Sequence, residues 1–178
     1  MRALKLSGQV VALATVAGLL GLLVWRLTHR PVVPAIGGPA PSFTTRRIDG
    51  GSFALASVRG KPVVINFWAS WCGPCKAEAA ALEQQWQRYR GQGVVFLGID
   101  YTDPTGDARR FLARHGVTYP TLLDGSGAIG DRYGITGVPE TYFIDRKGRI
   151  VGEHILGPIT TSRWSEAFAR GIQAALNS

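Results

Sequence analysis

Lys61-Pro62-Val63-Val64-Ile65-Asn66-Phe67-Trp68-Ala69-Ser70-Trp71-Cys72-Gly73-Pro74-Cys75-Lys76-Ala77-Glu78-Ala79-Ala80-Ala81-Leu82-Glu83 is the segment on which the reading of this chain turns. Its first part is a short apolar run rich in β-branched and aromatic residues, the pattern of a buried strand. Its last part is rich in Ala, Glu and Leu, the pattern of a helix. The two cysteines stand where strand hands over to helix. Cys72 then occupies a helix N-terminus, where unpaired N–H groups and the helix dipole favour a thiolate. Cys75 lies one turn on, on the same face, and can close a disulfide with Cys72. Pro74 falls in the first turn, where its missing N–H does no harm.

The chain has no other cysteine, which excludes a structural disulfide framework and leaves one candidate redox pair. Zinc sites use the same C-x-x-C spacing but need four ligands. His29, His115 and His154 show no paired spacing that would complete such a site, and no metal or other cofactor is expected.

Of the 178 residues, 46% are apolar, ample for one core. The net charge of +8 is unevenly spread: Arg2, Lys5, Arg26 and Arg30 lie in the first thirty residues, which hold no acid, leaving +4 for the remainder. No basic run interleaves with aromatics, so nucleic-acid binding is not expected. Residues 6–27 form an apolar run, uncharged from Val10 to Trp25. About 20 apolar residues span a bilayer, and the run reaches that length. The expectation is a retained signal-anchor at 6–27, with residues 1–5 on the cytoplasmic side. A cleaved signal peptide is the rival, but no small-x-small site follows Trp25-Arg26. Basic residues flank both ends, so orientation rests on the N-terminal side. Residues 28–41, with Pro31, Pro34, Gly37, Gly38, Pro39 and Pro41, read as a linker free of helix and strand pairing.

Beyond the linker, Ser42 to Phe53 reads as a hairpin turning at Asp49-Gly50-Gly51, followed by one helical turn over Ala54 to Arg59. The active-site helix is expected to end at Gly91 or Gly93. Strands over Val94 to Ile99 and Thr121 to Leu123 alternate with helices over Asp107 to His115 and Ala128 to Tyr133. A strand over Thr141 to Ile144 turns at Asp145-Arg146-Lys147-Gly148 into Arg149 to Ile155. Trp164, Phe168, Ile172 and Leu176 give a closing amphipathic helix over Thr160 to Leu176. Strands alternating with helices predict an α/β core.

The run from Val63 to Cys75 resembles the active-site segment of thioredoxin-fold proteins. It is most similar to the membrane-anchored thioredoxin-like thiol:disulfide oxidoreductases of the CcmG/DsbE group, with ResA and TlpA. Ala40-Pro41-x-Phe43, Asp49-Gly50-x-x-Phe53, Gly137-Val138-Pro139-Glu140-Thr141 and Gly157-Pro158 extend the likeness over 42–178. It implies a thioredoxin fold, a central mixed sheet flanked by helices, with an N-terminal hairpin extension. It makes Cys72 the nucleophile and Cys75 the resolving thiol. Pro139 matches the fold's cis-proline, leaving Val138 to offer its backbone to an extended substrate. Trp71, Gly73 and Pro74 complete the expected contact surface, and Trp68 is expected to pack beneath. Glu78 and Glu140 match an acidic pair near the second cysteine. Ordinary thioredoxins place a buried Asp in the preceding strand, and Asn66 stands there instead, which moves the base role to Glu78 and Glu140.

The resemblance implies a reductase at the inner membrane, its domain in the periplasm. The implied substrate is the C-x-x-C-H site of apocytochrome c, or a CcmH-type partner, and the implied electron donor is a CcdA/DsbD-type membrane protein. A TlpA-like reductase for copper-centre assembly, a disulfide oxidase and a non-catalytic docking module are the alternatives. A peroxidase fits less well, because no Thr-x-x-Cys precedes the pair. His115 and His154 are expected at the surface.

Overall fold

The computed structural model describes residues 13–25 and 33–178, in two units divided at Val32/Val33. In the first unit, residues 13–25 form helix α1, with its apolar side chains exposed. Among the described residues no helix is long and apolar enough to cross a membrane. The expected span 6–27 is thus described only in part. Its ends, the N-terminal residues 1–5 and linker residues 28–32 lie outside the described residues.

The second unit is a five-stranded mixed sheet with a two-stranded hairpin ahead of it. Strands β1 (Thr44–Arg46) and β2 (Ser52–Ala54) pair antiparallel, and a 3-10 turn follows at Leu55–Val58. Then come β3 (Val63–Trp68), α2 (Gly73–Tyr89), β4 (Val95–Tyr101), α3 (Thr105–His115), β5 (Thr121–Asp124), α4 (Ala128–Tyr133), β6 (Glu140–Ile144), β7 (Ile150–Ile155) and α5 (Ser162–Asn177). The sheet order is β5-β4-β3-β6-β7. Strands β3, β4 and β5 run parallel, while β6 is antiparallel to both β3 and β7.

Strand β3 is central, and all six of its residues are buried. A strand covered on both faces reads as a continuous apolar run, which explains Val63-Val64-Ile65 and Phe67-Trp68. Alternation sends Val64 into a core shared with Leu82 of α2, Phe96 and Phe143 of the sheet, and Phe168 and Ile172 of α5. Ile65 and Phe67 enter the opposite core, with Phe43, Tyr133 and Tyr142. Helix α2 ends at Tyr89 and tightens into a 3-10 turn over Arg90–Gln92, stopped by Gly93 in the left-handed region.

One expectation is corrected. The linker is not free of pairing: Pro39 bridges Arg149, Gly37 N–H donates to Ile150 O, and Ala40 N–H donates to Gly148 O. The prolines and glycines exclude a helix, but at an edge position beside β7 Gly37 and Ala40 still donate and the Gly38 carbonyl still accepts from Ile150 N–H.

Helix α5 crosses β7 where two glycines meet. A Cβ on Gly152 would stand 2.9 Å from the Gly171 Cα, and one on Gly171 would run into the Phe143 ring. Gly171→Ala therefore overpacks this crossing and should destabilise the domain by about 1–3 kcal/mol. A urea midpoint unchanged by the substitution would show that α5 can back away from the sheet.

Candidate active site

The end of β3 and the start of α2 set the geometry. Cys72 is the N-cap residue of α2, in extended conformation (φ −79°, ψ 114°), and Pro74 sits in the first turn. The Cys75 backbone N–H donates to the Cys72 sulfur at 3.1 Å, so sulfur takes the place of the usual capping oxygen. The two sulfurs are bonded to each other at 2.06 Å, with the Cα atoms 5.3 Å apart. No group of three or more metal-binding side chains occurs among the described residues.

The Val138–Pro139 peptide is cis, as the resemblance implied. The Val138 carbonyl oxygen lies 3.4 Å from the Cys72 sulfur. In the disulfide this is a contact; in the dithiol the same geometry lets the S–H donate. Pro74, Val138, Pro139, Leu156 and Gly157 line one shallow groove. Trp71 is 59% exposed at its edge. Trp68 packs below, its ring stacked on Phe111 with centroids 4.3 Å apart.

The sulfurs are less open than the sequence suggests. Gly73 and Pro74 are exposed, but Cys72 keeps 4% of its accessible surface and Cys75 2%. The cause is packing on both sides: the cis-proline loop covers Cys72, and Ala69, Ala79 and Phe111 share one apolar cluster with the pair.

The two expected acids lie on different faces of the sheet. Asn66 pairs with Thr141 across β3 and β6, and both side chains face α2. There Asn66 Nδ2 donates to Glu78 Oε1 at 3.0 Å, and Ile159 N–H donates to Glu78 Oε2 at 2.9 Å. Glu140, one residue before Thr141, points to the other face because side chains alternate along a strand. Its Oε1 accepts from Thr136 N–H, Thr136 Oγ1–H and Gly137 N–H. Glu140 thus braces the turn that presents Val138 and Pro139, while Glu78 remains beneath the cysteine helix.

The two acids differ electrostatically. Burial pushes Glu78 up to about 7, against the opposing hydrogen bonds from Ile159 and Asn66. Burial pushes Glu140 up as well, but contact with His154 and hydrogen bonds from Thr136 outweigh it and hold the carboxyl below its ordinary value. His154 is a correction: it is not a plain surface residue. Its ring stacks on Tyr142 at 3.9 Å, and Nε2 lies 2.8 Å from Glu140 Oε2, an ion pair when the imidazole is protonated. Neither of those two atoms makes a hydrogen bond of good geometry.

Asp103 follows β4, in the Tyr101-Thr102-Asp103 segment that the sequence places after a core strand without assigning it a role. Its carboxylate accepts from Ser70 N–H at 2.6 Å and Ser70 Oγ–H at 2.9 Å, fixing the loop that leads into Trp71 and Cys72. Thr102, just before it, is the one non-glycine described residue with positive φ, at 50°. Such a conformation is an outlier for a β-branched residue, and it turns the chain out of β4 next to the Asp103–Ser70 clasp. Burial pushes the nearby Asp100 up to about 8, and the charges of Asp103 and Asp124 push the same way.

Residues 36–152 match the AhpC/TSA family. The chain belongs to that family. It is 30% identical over 148 residues to the thiol-disulfide oxidoreductase ResA of Geobacillus thermodenitrificans, covering 82% of this chain and 84% of that one. It is 30% identical over 126 residues to ResA of Bacillus subtilis, covering 71% and 70%. Two solved structures share its fold. A thiol:disulfide interchange protein from Chlorobium tepidum is 32% identical with a TM-score of 0.67, covering 81% of this chain and 99% of that one. A secreted Mycobacterium tuberculosis disulfide oxidoreductase homologous to DsbE is 29% identical with a TM-score of 0.64, covering 74% and 95%. With its C-x-x-C disulfide, the protein is a thiol-disulfide oxidoreductase of the ResA/DsbE type.

The raised Glu78 gives a pH test. The folded protein holds this proton more tightly than the unfolded chain does. The associated stability is complete below the ordinary value of 4.5 and is lost as pH rises through about 7. The loss amounts to about 3 kcal/mol. Glu78→Gln should flatten the fall in urea-derived stability between about pH 4.5 and 7. An unchanged slope would mean that another group carries the titration.

Proposed function

We propose that the protein reduces disulfides during cytochrome c maturation, acting on the C-x-x-C-H site of apocytochrome c or on a CcmH-type partner. The observation that carries this reading is the Cys72–Cys75 disulfide at the N-terminus of α2, beside a cis-proline and above a buried, readily protonated Glu78. In the dithiol form, the Cys72 thiolate attacks a substrate disulfide. One substrate sulfur joins Cys72 and the other leaves as a thiolate and takes a proton. The Cys75 thiol then gives its proton to Glu78, one turn along the same helix face, and attacks the Cys72 sulfur. The substrate sulfur held by Cys72 departs as a thiolate and takes a proton, and the 72–75 disulfide closes, so two electrons have passed to the substrate. Each turnover ends oxidised, so an outside donor must recharge the pair. A CcdA/DsbD-type membrane protein fits that need.

The apolar run at 6–27 supports a single-pass anchor in the inner membrane, with the domain in the periplasm. The compartment fits the chemistry, since a lone C-x-x-C there stays reduced only with continued electron supply. Gly73-Pro74 between the cysteines resembles reducing thioredoxins and favours a reductant over an oxidase. The likeness of Gly137-Val138-Pro139-Glu140-Thr141 to the cytochrome c maturation branch favours that substrate over a copper-centre protein.

Cells carrying Cys72→Ser should lose c-type cytochromes, measured by haem staining. Cys75→Ser should accumulate mixed disulfides that run as higher bands on non-reducing gels. Normal cytochrome levels with Cys72→Ser would reject this pathway and leave the exchange chemistry standing.

A further inference from the structure

Between α2 and α3, beside the disulfide, lies a cavity of about 230 Å³ lined by Ser70, Lys76, Asp107, Arg110, Arg114 and His115. It adjoins the redox site on two sides. Ser70 leads into Trp71 and Cys72, and Lys76 directly follows Cys75. Phe111, also in its wall, packs with both cysteines and with Trp68 in one apolar cluster. Three cations therefore meet one carboxylate at the rim of the active site. Asp107 is taken by Arg110. Lys76 and Arg114 are exposed and form no ion pair among the described residues.

Helix electrostatics accounts for only part of this. Arg114 and His115 stand in the last turn of α3, where the dipole favours positive charge. Lys76 is in the opposite situation. It sits near the N-terminus of α2, the positive end of that dipole, and the first turn there holds no acid to offset it. A cation in that place does not serve its own helix. Nor does it serve the fold, since it is exposed and unpaired.

We propose that this patch receives an acidic segment of the disulfide-bearing protein on which Cys72 acts. The inference rests on thiol-disulfide exchange at Cys72, and not on the cytochrome pathway. Its ground is position. A partner whose sulfur reaches Cys72 must cover the exposed Trp71, and the cavity opens at the loop that carries Trp71. Carboxylates on that partner would meet Lys76 and Arg114 as the sulfurs approach. The attraction would speed encounter and fix orientation, and salt would weaken it.

The test uses the reduced full-length protein and two disulfide-bridged peptides of one sequence, flanked by aspartates in one and asparagines in the other. Release of peptide thiol gives the rate. At ionic strength of about 0.02 M the aspartate peptide should react about tenfold faster, and the ratio should fall toward one at about 0.5 M. In Lys76→Gln/Arg114→Gln the ratio should drop to about twofold even at low salt. Equal rates for both peptides at low salt would overturn the proposal. So would a full preference surviving in the double variant. If the variant kept that preference but lost binding to phosphatidylglycerol vesicles, the patch would belong to a lipid surface instead. Failure to reduce either peptide would refute the exchange reading itself, and the patch with it.

Discussion

A sulfur atom caps a helix in this protein, and most of the site follows from that contact. The Cys75 N–H points at the Cys72 sulfur from the first turn of α2. The usual capping oxygen of Ser, Thr or Asp would satisfy the same donor but could not exchange a bond. Placing sulfur there turns a structural need of the helix into an electrostatic one for the thiol. When the disulfide opens, the negative charge on Cys72 forms where N–H groups already point. The start of that helix follows β3, whose six residues are all buried.

The sheet divides the labour around that contact. Its α2 face carries Asn66 and Thr141, hydrogen-bonded to each other and, through Asn66, to Glu78 on the inner side of the cysteine helix. Its other face carries Glu140 and His154, which hold the turn before the cis-proline. The two carboxylates are neighbours of the same centre through different elements, and their protons respond in opposite senses. Glu78 is favoured neutral and can accept or hold a proton near neutral pH. Glu140 is favoured ionised, which suits a group whose work is to accept three hydrogen bonds from one turn.

The sequence made local features legible and hid those formed across the sheet. The β3 pattern, the cysteine spacing and Pro74 are contiguous, so strand, cap and helix could be read from them directly. Pro139 was legible because its flanking residues resemble a known pattern. The separation of Glu78 from Glu140 was also encoded, in the alternation of Glu140 and Thr141, but it emerges only once Thr141 is known to pair with Asn66. Asp103 and Ser70 lie 33 residues apart and meet because β4 runs parallel to β3. His154 and Glu140 meet across β6 and β7, next to an irregularity in their pairing between Thr141 and Phe143. Register and bulges of this kind leave no periodic trace in the chain.

The near-closure of the sulfurs has a mechanistic consequence. With Cys75 at 2% and Cys72 at 4% exposure, the two cysteines are almost equally shielded by area. They differ in what surrounds them. Cys75 lies within the helix, whereas Cys72 is bordered by exposed Trp71 and Gly73 and covered by the Val138 carbonyl. That carbonyl belongs to a turn braced by Glu140, not to the core of the sheet. The turn beside Cys72 thus presents backbone that an extended substrate can engage. The surroundings of the two cysteines therefore differ more than their exposed areas do.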